Sequence, residues 1–197
     1  MDRSRVAELH FITTLDNLHS ICEHGVLCRK LAARIPHTSI ADEEIQDRRV
    51  GKKVPGGADL HDYANLYFDA RNAMMYRRRD EREDLVVVRV KHEVMDITGA
   101  VIADGNAASG PTRFYPSPDG LQLLDEARVF AQSWTSNDPW DYWERKRQRQ
   151  AEVLVPRRVP VSYLLGCYVR NNEMLQPCLR LAQGLDVQVG RRVFFDA

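Results

Sequence analysis

Short apolar runs separated by polar stretches predict most of the strands of this chain. The clearest run is Leu85-Val86-Val87-Val88-Arg89-Val90, which is rich in the β-branched residues that favour strands. Pro156 ends a second run, because proline has no amide hydrogen to donate to a sheet. The predicted strands are 8–13, 63–68, 85–90, 101–103, 151–155, 164–169 and 187–189.

Helices are predicted between these strands. The segment 18–23 follows Asp16-Asn17, residues that favour a helix start, and precedes Gly25, which is typical of a position just beyond a helix end. The other predicted helices are 72–79, 121–130 and 139–149. Strands and helices mix without regular βαβ alternation, so the sequence predicts an α+β fold.

Two long polar segments interrupt this pattern. Residues 36–60 are predicted to form a loop with one helical turn near 42–49, and residues 104–120 hold three Gly, three Pro and two Ser. Loops of this length in compact domains are usually functional or disordered. A chain of 197 residues has the size of one ordinary domain, and we expect a single domain over residues 1–197.

Composition and charge exclude few functions. Hydrophobic residues make up 44% and charged residues 28%, which is typical of a globular protein, and the formal net charge is zero. Any contact with nucleic acid must therefore come from local clusters of Lys and Arg. No apolar run approaches the ~20 residues of a membrane span, so we expect no membrane partner and a cytoplasmic location. The four cysteines match no CxxC motif and are expected to be buried free thiols.

The common catalytic motifs are missing. The sequence has no GxGxxG after a strand, no P-loop, no HExxH and no GxSxG. His92-Glu93 lacks a second ligand at metal spacing, so no metal cofactor is expected.

An acidic residue opens the strand 151–155, and this is the sharpest local anomaly. Glu152 at the start of an apolar strand can be held rigidly, close to the core and partly shielded from water. The alternative is a surface ion pair with Arg157 or Arg158, which contributes only ~0–1 kcal/mol.

Arginines and aromatics form further candidates. Arg49 ends the polar run Gln46-Asp47-Arg48-Arg49, and a planar guanidinium suits phosphate binding, although a solvated helix end is the alternative. Tyr67 and Phe68 point to opposite faces of a strand, so one of them is available for stacking. Basic clusters at 77–79 and 145–149 are either solvated helix faces or parts of a groove that follows phosphates.

Four blocks in this order resemble the DarT-type DNA ADP-ribosyltransferases, toxins paired with a macrodomain-type or NADAR-type antitoxin that removes the mark. The blocks, which span most of the chain, are 9–18, 45–57, 61–76 and 151–156. The resemblance implies an ADP-ribosyltransferase fold with a split mixed sheet around an NAD⁺ cleft. It also implies ADP-ribose transfer from NAD⁺ to a base of single-stranded DNA.

The resemblance assigns roles to individual residues. Glu152 matches the essential glutamate, and Arg49 matches the arginine that contacts the NAD⁺ phosphate and assists catalysis. The residues implied to bind the co-substrate NAD⁺ are His10, Phe11, Ile12, Thr13, Asn17, Arg49, Tyr67 and Tyr76. The expected contacts to the DNA are Asn106, Arg113, Tyr115 and Arg147.

The choice of base follows from finer features of the same resemblance. In an alignment on Asp16-Asn17-Leu18, His10 falls one residue early relative to thymine-modifying members, and Phe11 takes the usual histidine place. The blocks 101–106 and 113–118 look closer to the guanine-directed branch, so guanine is favoured and thymine is the second choice. Two alternatives remain, an ADP-ribosyltransferase that acts on RNA or protein or hydrolyses NAD⁺, and a non-catalytic nucleic-acid-binding module.

Overall fold

A computed structural model describes residues 1–81, 83–182 and 184–196. Its strands are β1 Glu8–Thr14, β2 Val26–Leu27, β3 Tyr63–Tyr67, β4 Leu85–Lys91, β5 Val101–Ala103, β6 Phe114–Pro116, β7 Glu152–Pro156, β8 Arg158–Val159, β9 Leu164–Val169 and β10 Asp186–Val189. Its helices are α1 Leu18–His24, α2 Arg29–Ala32, α3 Glu43–Arg49, α4 Ala73–Arg78, α5 Glu126–Val129, α6 Pro139–Gln148 and α7 Leu175–Leu181. Short 3₁₀ turns connect many of these elements.

Eight of the described strands form one mixed sheet in the order β10-β9-β4-β1-β3-β7-β5-β6, and β2 pairs with β8 beside it. β10 runs parallel to β9, while the other neighbouring strands are antiparallel. The apolar run of β4 lies inside this sheet, and Val86, Val87 and Val88 are fully buried. This arrangement confirms the predicted α+β class with a mixed sheet.

The sheet is split in its middle. β1 pairs with β4 along all seven of its residues, and β3 pairs with β7 along all five of its residues. In contrast, within the described residues β1 meets β3 at one register pair, His10 with Tyr67. The two half-sheets therefore part beyond this pair, and the side chains of β1 and β3 line the space between them.

Helix α1 begins and ends close to the predicted positions. Gly25 ends it with φ +79, and a Cβ at this position would lie 2.0 Å from the carbonyl oxygen of Val159, so only glycine fits. Asn17 occupies the predicted position just before the helix, but its side chain makes no cap hydrogen bond. It instead bonds to Thr13 and to Thr38, in the loop that follows α2.

Two other predictions from the sequence are wrong. Residues 121–130 do not form one helix, because the extended Leu124 is buried and Asp125 starts a separate helix by accepting the N–H of Arg128. The segment 104–120 is not entirely loop, since it contains β6, which pairs with β5. The short elements α2, β2, β8 and α7 were also not predicted. The cysteine prediction is confirmed, as Cys22, Cys28, Cys167 and Cys178 are buried free thiols.

Candidate active site

A cavity of about 920 Å³ opens where β1 and β3 part. Strand β1 contributes one wall, and the loop after α2 together with α3 contributes a second wall. Helix α6 and the segment after β5 form the remaining side. The volume is that of a site for a large organic ligand, and the lining mixes apolar and polar groups.

Glu152 and Arg49 meet in the wall of this cavity. Nη1 and Nη2 of Arg49 both donate to Oε2 of Glu152 at 3.3 Å, although the residues are 103 positions apart in the chain. The second oxygen, Oε1, accepts the N–H of Ala107 at 2.9 Å. Glu152 is 0% exposed and lies behind Arg49, which is itself at the cavity surface. The sequence-based alternative, a surface pair with Arg157 or Arg158, is therefore wrong.

The fold explains why this carboxylate is buried. β7 lies between β3 and β5, with Glu152 opposite Tyr67 on one side and opposite Ala103 on the other. Its charge is compensated by an arginine that comes from helix α3, whose start is capped by the side chain of Asp42. Burial raises the pKa of the neighbouring Tyr67 hydroxyl, and the charge of Glu152 raises it further. Tyr67 thus stays protonated and donates to the sulfur of Met74 at 3.4 Å.

Asn17 fastens a loop to the cavity. Its Nδ2 donates to Oγ1 of Thr13 at 2.9 Å and to the carbonyl of Thr38 at 2.8 Å. The N–H of Thr38 in turn donates to Oδ1 of Asn17 at 2.9 Å. Phe11 and Ile12 complete this wall. The side chain of Asn17 therefore positions the loop against strand β1.

Arg147 is locked into the opposite wall. Its guanidinium donates to Asp104 at 2.5 Å, to Thr112 at 3.2 Å and to both oxygens of Glu144 at 2.6 and 2.8 Å. Although burial lowers its pKa, these hydrogen bonds and ion pairs raise the pKa overall. Asn106 lies beside it, since its N–H donates to the carbonyl of Arg147 at 3.0 Å.

The structure brings most of the residues predicted from the sequence to one place, and their individual roles remain predictions. The predicted residues that line the cavity are Phe11, Ile12, Thr13, Asn17, Arg49, Tyr67, Asn106 and Arg147. Those that lie outside its lining are His10, Tyr76, Arg113, Tyr115 and the fully buried Glu152, which contacts the lining residue Arg49.

The residues outside the lining have other partners. Nε2 of His10 lies 3.1 Å from Glu8, while Tyr76 packs edge-on against Phe195 at 5.1 Å between ring centroids. Arg113 is exposed, and Tyr115 is paired with Ile102 on the β5–β6 hairpin. The hydrogen bonds from His10, Tyr168 and Arg89 outweigh the effect of burial and lower the pKa of Glu8 to about 2.

The basic clusters differ from one another in the structure. Arg77, Arg78 and Lys146 lie at the cavity, as a phosphate-binding groove would require. Arg149 is wrongly grouped with them, because it is buried and bonded to Asp69 at 2.9 Å.

Several cavity residues were not assigned a role from the sequence. Lys52 lies beside this lining rather than in it: its Nζ donates to the carbonyl of the lining residue Ser109 at 2.6 Å, and burial and the charge of Arg49 lower its pKa. Burial, followed by the charges of Arg29 and Arg49, also lowers the pKa of His61. Trp140 and Trp143 stand at the cavity on helix α6, and two tryptophans three residues apart in a charged helix are the signal that could have indicated them.

Two features are absent from the described residues. The described residues contain no group of three or more His, Cys, Asp or Glu side chains placed to hold a metal ion. Across the same part of the chain, no helix is both long enough and apolar enough to cross a membrane.

A split mixed sheet, with a buried glutamate and an arginine in the wall of its cleft, defines the class as an ADP-ribosyltransferase fold. Residues 10–193 match the family model described as DarT, ssDNA thymidine ADP-ribosyltransferase. This match covers most of the chain, and the protein therefore belongs to the DarT family.

Relatives agree with this assignment. The chain is 32% identical over 182 residues to a DNA ADP-ribosyl transferase–DNA ADP-ribosyl glycohydrolase fusion protein of Thermosipho africanus, covering 86% of this chain but only 44% of that relative. It is 30% identical over 184 residues to a DNA ADP-ribosyl transferase of Thermus sp. strain 2.9, covering 88% of this chain and 86% of that protein.

Solved structures share the fold. Thermus sp. 2.9 DarT in complex with ADP-ribosylated ssDNA superposes with a TM-score of 0.84 at 24% identity, over 96% of both chains. The same protein in complex with NAD⁺ gives a TM-score of 0.77 at 21% identity, over 96% of this chain and 98% of that one. The agreement confirms the ADP-ribosyltransferase fold predicted from the sequence.

Proposed function

We propose that this chain transfers ADP-ribose from NAD⁺ to a base of single-stranded DNA and releases nicotinamide. The observation that carries the proposal is the pair of Glu152 and Arg49 in the cavity wall, 103 residues apart in the chain but joined at 3.3 Å. Membership of a family described by this activity supports it, as do the Thermus protein structures with NAD⁺ and with ADP-ribosylated ssDNA.

The cavity fits a dinucleotide in size and chemistry. Its volume of about 920 Å³ lies at the upper end of the ~300–1,000 Å³ range typical of ligand sites. Phe11 and Ile12 offer apolar wall, Asn17 offers a fixed amide, and Arg49 offers a guanidinium that suits a diphosphate. We propose that the predicted residues on this wall hold NAD⁺.

When bound, NAD⁺ supplies the ADP-ribosyl group with nicotinamide as its leaving group. Positive charge develops on the ribose as this bond breaks, as it does in glycoside hydrolysis. A fixed carboxylate directed at that charge lowers the barrier, because a preorganised group needs no reorganisation. The N–H of Ala107 holds one oxygen of Glu152, which leaves Oε2 for this role.

Arg49 covers that oxygen through two hydrogen bonds that are long for a charged pair. A diphosphate that binds the guanidinium competes with the carboxylate for the same donors. We propose that co-substrate binding in this way uncovers Glu152. The uncovered oxygen can then also accept the proton from the attacking base nitrogen.

The substrate strand must present an unstacked base, which favours single-stranded DNA. We propose Asn106, Arg113, Tyr115 and Arg147 as the residues that contact the DNA. The resemblance of 101–106 and 113–118 favours guanine, whereas the family description names thymidine. The expected product is a guanine adduct. A thymine adduct would leave the proposed enzyme class unchanged and would identify thymine as the target base.

A partner that reverses the reaction fits the same proposal. The Thermosipho relative joins a DNA ADP-ribosyl transferase to a DNA ADP-ribosyl glycohydrolase in one protein. We propose that this chain is the toxin of a toxin–antitoxin pair, and that its antitoxin is a macrodomain-type or NADAR-type glycohydrolase. A purified glycohydrolase of the correct type should remove the mark and restore the original oligonucleotide mass.

The test is transfer from NAD⁺ to single-stranded oligonucleotides that differ in one base, followed by mass spectrometry of the nucleosides. Glu152→Gln keeps the side-chain shape and should lower transfer by ~10²–10³-fold, the usual cost of losing one preorganised electrostatic group. Glu44→Gln, an exposed acid at the cavity rim, is the matched control and should retain activity.

Three results would contradict the proposal. A folded Glu152→Gln variant with full activity would remove the role of this carboxylate. If digestion with protease or ribonuclease releases the label transferred from NAD⁺, the substrate is protein or RNA and not DNA. Binding of DNA that is indifferent to NAD⁺, without any transfer, would leave a non-catalytic binding module.

A further inference from the structure

Two exposed tryptophans stand at the cavity on helix α6. Trp140 is 85% exposed and Trp143 is 61% exposed. Tryptophan is highly buried on average, and its ring is enriched where proteins bind partners. Two such rings at the opening of one cavity indicate a binding surface.

The helix holds both rings on one face. Residues three apart lie about 4.5 Å apart along the axis of an α-helix and are neighbours on its surface. The Asp138 side chain fixes the start of the helix, because it accepts the N–H of Trp140 at 2.7 Å and that of Asp141 at 3.1 Å. Tyr142 supports the second ring edge-on, at 5.4 Å between centroids.

A free positive charge continues the same face. Lys146 lies three residues beyond Trp143, and its Nζ is 5.1 Å from the centre of that ring. Its neighbours Arg145 and Arg147 are paired with Asp141 and Glu144. In the part of the chain that the structure describes, Lys146 has no carboxylate within ion-pair distance. This lysine is therefore the cation on the helix that is left for a phosphate.

We propose that Trp140 and Trp143 form a stacking platform for the nucleotides of single-stranded DNA that flank the modified base, with Lys146 contacting the phosphate backbone at the Trp143 end. Aromatic rings beside cations are the usual means of binding single strands without reading their sequence, because every base has a π-face. A duplex offers no free faces to such a platform. The inference rests on the proposed function for the identity of the strand.

Binding can be tested apart from catalysis. The experiment uses the full chain carrying Glu152→Gln, without NAD⁺, and a fluorescein-labelled single-stranded oligonucleotide of about 12 nucleotides, a length that exceeds many single-strand sites. Fluorescence anisotropy gives the Kd at several salt concentrations. Trp140→Ala and Trp143→Ala should each weaken binding by ~5- to ~150-fold.

The salt dependence separates stacking from charge. The tryptophan variants should keep the slope of log K against log salt, because they remove no charge. Lys146→Ala should weaken binding and reduce the magnitude of that slope by about one. Leu179→Ala, another exposed apolar residue that does not line the cavity, is the matched control and should bind as the parent does. Circular dichroism melts check that each variant folds.

Other outcomes overturn the platform. If the wild-type chain transfers ADP-ribose and the Glu152→Gln parent binds the strand, but both tryptophan variants bind as tightly as that parent, the platform is wrong and the proposed function stands. If the wild-type chain does not modify single strands and the Glu152→Gln parent does not bind them, both fail. Equal affinity for duplex and single strand would contradict stacking. A concentration-dependent dimer that only the tryptophan variants abolish, with DNA affinity unchanged, would assign the rings to a second copy of this chain.

Discussion

Two buried arginine–carboxylate pairs lie close together at the start of β7, and they are built differently. Arg149 donates to the carbonyls of Ala131 at 2.7 Å and Val129 at 2.9 Å, and to Asp69 at 2.9 Å. Arg49 donates only to one oxygen of Glu152 among the described residues, through two bonds of 3.3 Å. Charge-assisted hydrogen bonds are normally about 2.7–2.9 Å long.

The difference separates an arginine that holds the fold from one that is available to a ligand. The short bonds of Arg149 tie the end of α6 to the last residue of α5 and the residues after it, and to Asp69, which follows β3. The long bonds of Arg49 face a cavity, so a stronger anion can replace the carboxylate. Burial alone does not distinguish the two, because both arginines are nearly inaccessible to solvent.

Replacing Arg149 should have the largest effect on stability. Arg149→Leu leaves the buried Asp69 without its main partner and two carbonyl groups without their hydrogen-bond donor. The loss should cost about 3–5 kcal/mol of unfolding free energy. Urea denaturation measures the loss. A cost below about 1 kcal/mol would show that this pair contributes no more than a surface pair.

Replacing Arg49 should have the opposite effect, a large loss of activity with a small loss of stability. Arg49→Lys keeps the charge but loses the planar fork, so kcat/KM for NAD⁺ should fall by about 100-fold, the cost of a misplaced ligand. The unfolding free energy should change less than it does in Arg149→Leu, since a positive charge remains beside the buried Glu152. Arg48→Lys, its exposed neighbour, is the control and should change neither quantity.

The structural pair should make stability depend on pH. Although burial raises the pKa of Asp69, the charge of Arg149, the N–H of Arg71 and the charge of Arg192 lower it below 3.8 overall. The carboxylate thus stabilises the fold above about pH 3.8, and this contribution is lost as the pH falls through its lowered pKa. Unfolding free energies of wild type and Asp69→Asn, measured from pH 6 down to about 2, should converge by up to ~1.4 kcal/mol per pH unit. Parallel curves would contradict this.

The smallest predicted effect concerns the loop beside Arg49. Asn17→Ala removes three hydrogen bonds that hold Thr38 against β1, and KM for NAD⁺ should rise about fivefold, a change of ~1 kcal/mol, with kcat little affected. Initial-rate kinetics measure both constants. Asn171→Ala removes a helix-capping side chain away from the cavity and should leave KM unchanged. A fall in kcat alone would give Asn17 a role in the chemical step.

Much of the sheet could be predicted because its central strands are continuous runs of apolar residues. The sequences of β4 and β7 fit few structures other than a buried strand. The short β6 could not be predicted, since three residues that include a proline, in a segment rich in Gly and Pro, carry no periodicity. The break in 121–130 also lay outside local propensity, because it depends on the burial of Leu124 in the core.

The site was predictable in part for a similar reason. A glutamate that opens an apolar strand is anomalous by itself, so Glu152 could be found without the fold. Its bond to Arg49 could not, because a contact between residues 103 positions apart depends on the tertiary arrangement. Arg149 was assigned to a charged helix face for the same reason, because its burial against Asp69 also depends on the tertiary arrangement.

The gap between β1 and β3 has a consequence for how this family diverges. Beyond the pair of His10 with Tyr67, the main-chain groups of β1 that face the gap are not used in pairing with β3. The path of β1 is held by its full pairing with β4 and not by the identity of the side chains that face the gap. Substitutions can then accumulate along the strand while its path is preserved, which fits a TM-score of 0.84 at 24% identity.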